Sequence, residues 1–229
     1  MPTPTDALVT PLRPAPLATV LLAGGASSRM GRPKAWLDWR GVPLLRHLVD
    51  LFVAAGARVV VVGARGEALP ELPADALRVD DPPAEDGRRG GPLVGLLAGL
   101  EALAAAPRPG ELAFFSACDG VFLSRAHLDF LRAAVLSDPA IEAALPVDPP
   151  DPASGKRFAH PLASAALVAP AVLAARRLRD AGVRRPVALF DALRTRRVDA
   201  DALPDPRALR TCNTPEEYAA ALAERDAEA

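Results

Sequence analysis

Short apolar runs alternate along this chain with longer stretches whose apolar residues fall three or four apart. Ala18–Ala23 reads as a buried strand, and Arg58–Val62, with four consecutive valines, as a central one. Between them, Leu44, Leu45, Leu48, Val49 and Phe52 share one face of a predicted helix over Pro43–Ala55. A proline-containing link, Leu69–Pro73, leads to a short strand at Leu77–Val79. Leu93, Leu96, Leu97, Leu100 and Leu103 form the stripe of a helix over Gly91–Ala106. Ala113–Ala117 is the next buried strand, and Ser124 caps a helix running to about Leu136.

The second half continues the alternation. Strands are predicted over Ile141–Pro146, Leu162–Val168 and Thr195–Val198, with helices near Ala171–Asp180 and Pro186–Leu193. A polar, proline-containing loop runs from Asp148 to His160. Thr214, Pro215 and Glu217 spell an N-cap, a first-turn proline and a capping box for a last helix to about Glu224. Strand and helix in turn predict an α/β fold: a mostly parallel sheet flanked by helices, three-layer α/β/α and Rossmann-like. Gly95 and Gly99 lie one turn apart inside a helix, where each costs ~1 kcal/mol against alanine. That cost predicts close approach by another backbone or by a ligand.

Length and composition narrow the class. A chain of 229 residues, half of them apolar, is long enough for one domain with a sizeable core. Residues 1–16 hold five prolines and no periodicity and read as a flexible tail, which leaves 17–229 as a single domain. A net charge of −1 gives no global field for nucleic acid or an acidic membrane, so any cationic chemistry is local. No apolar run is long enough for a membrane span, and no secretion signal opens the chain. Cys118 and Cys212 suggest neither a disulfide framework nor a zinc site, and they fit a reducing, cytoplasmic setting. His47 and His127 fall on predicted helices without a nucleophile pattern and read as packing or surface residues.

The candidate chemistry begins where the first strand ends. Leu22-Ala23-Gly24-Gly25-Ala26-Ser27-Ser28-Arg29-Met30-Gly31-Arg32-Pro33-Lys34 joins paired glycines, small hydroxyls and three cationic side chains. Glycines let a backbone turn sharply and come close to a ligand, and the freed N–H groups suit phosphate oxygens. Arg29, Arg32 and Lys34 supply charge for a triphosphate. The spacing matches neither the dinucleotide fingerprint nor the P-loop. A plain strand-to-helix turn with surface arginines is the simpler alternative. Ligands of such sheets gather at the carboxyl ends of the strands. There the sequence also offers Asp80 and Asp81, the Gly-rich run ending at Gly91, Asp119, and Asn213 ahead of the last helix. Asp119, directly after a buried strand, is the best candidate ligand for magnesium, which is usually held by one or two carboxylates plus phosphates and water.

Read as L-A-G-G-x-S-S-R-M-G-x-x-K, the run Leu22–Lys34 resembles the signature of the molybdopterin nucleotidyltransferases. Gly25 leans the resemblance toward the guanylyltransferase branch, since the cytidylyltransferases usually read L-A-A-G. Further matches follow in order: Asp81, Gly91-Pro92-Leu93-x-Gly95, Cys118-Asp119, His160-Pro161-Leu162, Asp180-Ala181-Gly182-x-Arg184-Arg185 and Asn213-Thr214-Pro215-Glu216-Glu217. Together they cover roughly Val20 to Ala220. Three positions depart from the family: Val121 replaces a usual proline, Thr211 a frequent second asparagine, and Ala64 an asparagine that contacts guanine.

The resemblance implies an enzyme with a nucleotidyltransferase fold that moves GMP from GTP to molybdopterin, with Mg2+ as cofactor. It implies nucleotide contacts at Leu22, Ala23, Gly24, Gly25, Ser27, Lys34, Asp81, Gly91 and Asp119. Catalytic roles fall to Lys34, Arg29 and Asp119, with Asp119 on the metal. The acceptor would meet His160 and Asn213, so that residues 17–140 hold the nucleotide and 141–229 the acceptor. Partners beyond the substrates would be molybdoenzyme-maturation proteins. Cytidylyl transfer, transfer to another small phosphorylated acceptor, and a nucleotide-binding module without catalysis remain as alternatives.

Overall fold

The computed structural model describes residues 15–24, 30–82 and 90–227. The chain opens with β1 (Leu17–Leu22), a short 3-10 turn at Lys34–Trp36, and a small hairpin of β2 (Asp38–Trp39) and β3 (Val42–Pro43). Then come α1 (Leu44–Ala54), β4 (Ala57–Ala64), β5 (Ala76–Asp81), α2 (Pro92–Ala104), β6 (Leu112–Ala117) and α3 (Arg125–Leu136). The second half comprises β7 (Ala143–Val147), β8 (Ala163–Leu167), α4 (Val168–Asp180), α5 (Val187–Asp191), β9 (Thr195–Asp199) and α6 (Pro215–Asp226). Among the described residues no helix is long and apolar enough to cross a membrane.

Seven strands form one sheet in the order β5-β4-β1-β6-β8-β7-β9. β8 runs antiparallel to both neighbours and every other pairing is parallel, so six strands end on the same edge. The β-branched run of β4 sits inside the sheet because residues buried on both faces can be continuously apolar there. Leucines and valines of β1, β4 and β6 alternate between the two faces. One set joins the α2 and α4 stripes, and the other joins α1 and α3. The expected three layers follow. Ser124 accepts a hydrogen bond from the His127 amide at 3.3 Å, which starts α3 where expected. The capping box at Thr214 and Glu217 is complete.

Two features differ from the sequence expectation. β5 runs on to Asp81, so Asp80 and Asp81 belong to the strand itself and point to opposite sides of it. Gly99 lets α2 lie flat on β1 by packing against a side chain rather than a second backbone, and Gly95 packs against Leu22 with the Asp81 carboxylate beside it. A Cβ at Gly99 would stand 2.3 Å from Cγ1 of Val20, and one at Gly95 would stand 3.3 Å from Cδ2 of Leu22. Gly99→Ala is therefore expected to lower stability, because crowding a packed core costs ~1–3 kcal/mol, more than the ~1 kcal/mol gained in helix propensity. Gly95→Ala, whose nearest neighbour is the end of a flexible leucine, is expected to stay near neutral. Urea unfolding of both variants checks this pair, and equal midpoints would remove the assigned role of Gly99.

Candidate functional site

Three segments far apart in sequence meet at the carboxyl edge of the sheet. β1 and β6 are neighbours, so the loop after Leu22 and the loop after Ala117 emerge side by side, with the Cys118 amide donating to the Leu22 carbonyl at 3.0 Å. Lys34, at the start of the 3-10 turn, reaches across to both later segments. Its Nζ donates to Oδ2 of Asp119 at 2.9 Å and to Oδ1 of Asn213 at 2.8 Å. Asn213 is held in turn by its own surroundings. Its Nδ2 donates to Oγ1 of Thr211 at 3.0 Å, and its amide donates to Oε2 of Glu217 at 2.6 Å. The Cys212 amide donates to the Asp119 carbonyl at 3.2 Å, which ties the two later segments together.

A separate apolar cluster underlies this meeting point. Met30, Leu37 and Trp39 come from the first segment, Val121 and Phe122 from the second, and Cys212, Tyr218 and Ala221 from the third. Trp39 contacts Tyr218 with ring centroids 6.0 Å apart. Burial of these side chains thus fixes three polar ones above them. Val121, where the family usually has proline, is fully buried there, and the loop that carries Asp119 closes with a Gly120 amide to Ala117 carbonyl bond of 3.1 Å. Burial pushes the thiols of Cys118 and Cys212 up, to about 12 and about 11. Both are therefore packing groups rather than nucleophiles.

The side chains of Lys34 and Asp119 remain 14% and 20% accessible, so the pair is shielded yet open to a ligand. An ammonium already held by a carboxylate and an amide oxygen can exchange those oxygens for phosphate oxygens at little cost. Asp119 could serve as one carboxylate ligand of a magnesium ion, which is usually held by one or two carboxylates with phosphates and water. Among the described residues no cluster of three His, Cys, Asp or Glu could hold a metal ion.

Leu22, Ala23, Gly24 and Asp81 lie at the same edge of the sheet. Gly24 is tightly packed at its turn, where a Cβ would stand 3.0 Å from the Ala64 amide nitrogen. Its close approach is thus to the end of β4. The backbones of Leu22 and Ala23 are engaged in the sheet, with the Ala23 amide donating to the Val62 carbonyl at 2.8 Å. Asp81 lies on the α2 side, where its Oδ1 would be 3.6 Å from a Cβ at Gly95. Asp80 faces the other way, toward Arg65 and Arg78 at 3.8 and 3.7 Å. Alternation along β5 therefore separates two residues that sequence alone left interchangeable. Gly91 has φ of +84°, a conformation glycine favours, and packs against Arg184 of the Ala181–Arg185 segment. Arg32 is exposed, two residues before Lys34 in the chain. Gly25, Ser27 and Arg29 lie outside the described residues.

His160 and Asn213, both expected on the acceptor side, have different partners. Asn213 belongs to the Lys34 cluster. His160 lies in the loop after β7, and its Nε2 is 2.8 Å from Oδ1 of Asp148. It precedes Ala163, the β8 partner of Ser116, by three residues, just as Asp119 follows Ser116 by three. The two loops thus leave adjacent strand ends. Farther out, past the ends of β7 and β9, Pro149, Pro150, Arg157, Asp199, Asp201 and Ala202 line an open depression of about 450 Å³. Sequence reasoning missed the support that Thr211 gives Asn213 and the partnership of Asp148 with His160. Only an Asp ahead of a proline run hinted at the second.

The profile of the MobA-like NTP transferase domain matches residues 19–197. The chain belongs to the MobA-like NTP transferase family. It is 40% identical over 136 residues to a protein named probable molybdenum cofactor guanylyltransferase from Mycobacterium bovis (strain BCG / Pasteur 1173P2). That stretch is 58% of this chain and 63% of the relative, so the chain matches somewhat under two thirds of that protein's length. A protein of the same name from Bacillus cereus (strain Q1) is 37% identical over 93 residues, 38% of this chain and 44% of that one.

Among solved structures, molybdopterin-guanine dinucleotide biosynthesis protein A from Archaeoglobus fulgidus aligns with a TM-score of 0.66 at 16% identity, covering 92% of this chain and 99% of the other. The 2-C-methyl-D-erythritol 4-phosphate cytidylyltransferase from Thermus thermophilus gives 0.65 at 22% identity, covering 91% and 98%. This MobA-like chain therefore shares the Rossmann-like nucleotidyltransferase fold.

Proposed function

We propose that this MobA-like chain transfers GMP from GTP to the terminal phosphate of molybdopterin and releases pyrophosphate. The observation that carries the reading is the placement of the Lys34 ammonium between Asp119 and Asn213, at the strand ends where a nucleotide's phosphates belong. The names of the relatives supply the base and the acceptor.

Chemically, an oxygen of the acceptor phosphate bonds to the α-phosphorus of GTP. The bond from that phosphorus to the bridging oxygen breaks in line, and its electrons leave with pyrophosphate. The attacking oxygen is already anionic, so no general base is needed, and catalysis consists of positioning and charge neutralisation. Lys34 does both: it orients the phosphates and offsets the charge that grows on them. Arg29, in the same signature, is assigned to the same task. Asp119 would hold Mg2+, which when bound neutralises phosphate charge. Asn213 restrains Lys34 in the resting site, Asp81 and Gly91 border the nucleotide, and His160 faces the acceptor. Two buried free cysteines suit a reducing compartment such as the cytoplasm.

A thermal-shift panel of GTP, CTP, ATP and UTP, each with magnesium, tests the base. A ligand that binds only the folded state raises the melting temperature. GTP is expected to give the largest rise, and a larger one with CTP would transfer the assignment to cytidylyl transfer. Pyrophosphate release that depends on molybdopterin separates an enzyme from a nucleotide-binding module.

A further inference from the structure

Asp148 belongs to none of the motifs that carry the family resemblance, yet the fold gives it a defined place. It directly follows β7, on the same edge of the sheet as Asp119. Its backbone is fixed on both sides: its amide donates to the Phe158 carbonyl at 2.8 Å, and its carbonyl accepts from Nε of Arg157 at 2.7 Å. The returning strand-like segment is fixed as well. The His160 amide donates to the Pro146 carbonyl at 3.0 Å, Val147 bridges Ala159, and the Ala163 amide donates back to the His160 carbonyl at 3.0 Å. Two rigid backbones therefore hold the Asp148 carboxylate and the His160 ring at 2.8 Å.

We propose that Asp148 is a positioning residue that acts through His160, fixing the ring so that Nδ1 is the atom offered to the acceptor substrate. The chemistry follows from the bond. An ionised carboxylate only accepts hydrogen bonds, so Nε2 of His160 must carry the hydrogen. A histidine whose one nitrogen is engaged by a carboxylate has its tautomer and orientation set, and the other nitrogen is left for the ligand. Nδ1 of His160 has no protein partner among the described residues. The side chains are 24% and 39% accessible, so the ring is ordered by its neighbours but still reachable. The proposal rests on the transferase reading only for the identity of the acceptor; the tautomer is a property of the protein alone.

Two measurements separate those parts. Long-range 15N–1H spectra of the whole chain resolve the imidazoles of its three histidines. In the parent, His160 is expected as the Nε2–H form, and in Asp148→Ala its ring nitrogens are expected to shift toward a mixture of tautomers. Spectra of His160 that are identical in the two proteins would overturn the positioning role whatever the enzyme's substrate. In turnover assays, Asp148→Ala is expected to raise the KM for molybdopterin about tenfold, the scale of one hydrogen bond to a charged group, with the KM for GTP and kcat within about twofold. Asp148→Asn, whose side-chain oxygen can still accept from Nε2, is expected to recover part of the loss. Adding Asp148→Ala to His160→Ala is expected to cost nothing further, and fully additive losses would show that Asp148 does not act through the ring. A tautomer that responds while the acceptor KM does not would place His160 away from the acceptor and overturn the assignment of Nδ1, leaving nucleotide binding at Lys34 untouched.

Discussion

Asp119→Ala and Lys34→Ala are each expected to lower turnover by ~100-fold or more, because each removes a principal electrostatic contribution to phosphoryl-type transfer. The two should fail differently. Lys34→Ala takes away the positive charge and leaves Asp119 facing the nucleotide's phosphates, so GTP binding is expected to weaken together with kcat. Asp119→Ala leaves Lys34 with Asn213 in place. GTP can still meet the ammonium, so nucleotide binding without magnesium is expected to persist while its enhancement by magnesium disappears. Asp119→Asn preserves a hydrogen-bond acceptor for Lys34 at the same position but not the charge, and it is expected to behave like alanine if the charge is what matters. Removing one partner of this largely shielded pair is expected to cost more stability than the ~0–1 kcal/mol of a surface ion pair, so the fold of each variant is checked before its activity is compared. Circular dichroism verifies the fold, and titration with GTP, with and without magnesium, reads the split. Near-normal turnover in a folded Asp119→Ala or Lys34→Ala protein would remove the site from the mechanism.

Much of this arrangement was legible in the sequence, for identifiable reasons. Strands buried on both faces and helices with one apolar stripe leave strong periodic signals, so β1, α1, β4, α2, β6 and α3 fall within a few residues of expectation. Caps are equally readable, because Ser124 and Thr214 act over three residues. The β2–β3 hairpin escaped because two-residue strands have no period to detect. The glycines of α2 were read correctly as a close approach, and at Gly99 the neighbour is a side chain of β1 rather than a backbone or a ligand. A sequence shows that a Cβ is missing, not what fills its place, and here Val20 does. The carboxyl-edge rule gathered Gly24, Asp119 and Asn213 into one list, but the bond from Lys34 to Asn213 spans 179 positions and depends on how α6 docks. The C-terminal segment reaches back to the first loop through that bond, a contact that no local pattern signals.

That docking carries the second large effect. Trp39→Ala is expected to cost ~3–5 kcal/mol, the range for removing a large buried aromatic from a core. Trp39 is 1% exposed, and its ring meets both His47 and Tyr218 at 6.0 Å. For a chain of this length, ~2–4 °C is lost per kcal/mol, so the melting temperature is expected to fall by roughly 6–20 °C. Stability alone does not distinguish this residue from any other core aromatic; its position does. Trp39 packs between the segment that carries Lys34 and the helix that follows Asn213, so the cavity left behind loosens the contact on which Lys34 depends. Turnover at a temperature where the variant is still folded is therefore expected to drop several-fold. Phe115→Ala serves as the control: Phe115 is equally buried, but it lies in the core between β6 and α5 and contacts Phe190 at 6.1 Å. It is expected to lose comparable stability while the folded fraction keeps most of its activity. Equal activity per folded molecule in the two variants would mean that the third apolar cluster stabilises the protein without assembling its site.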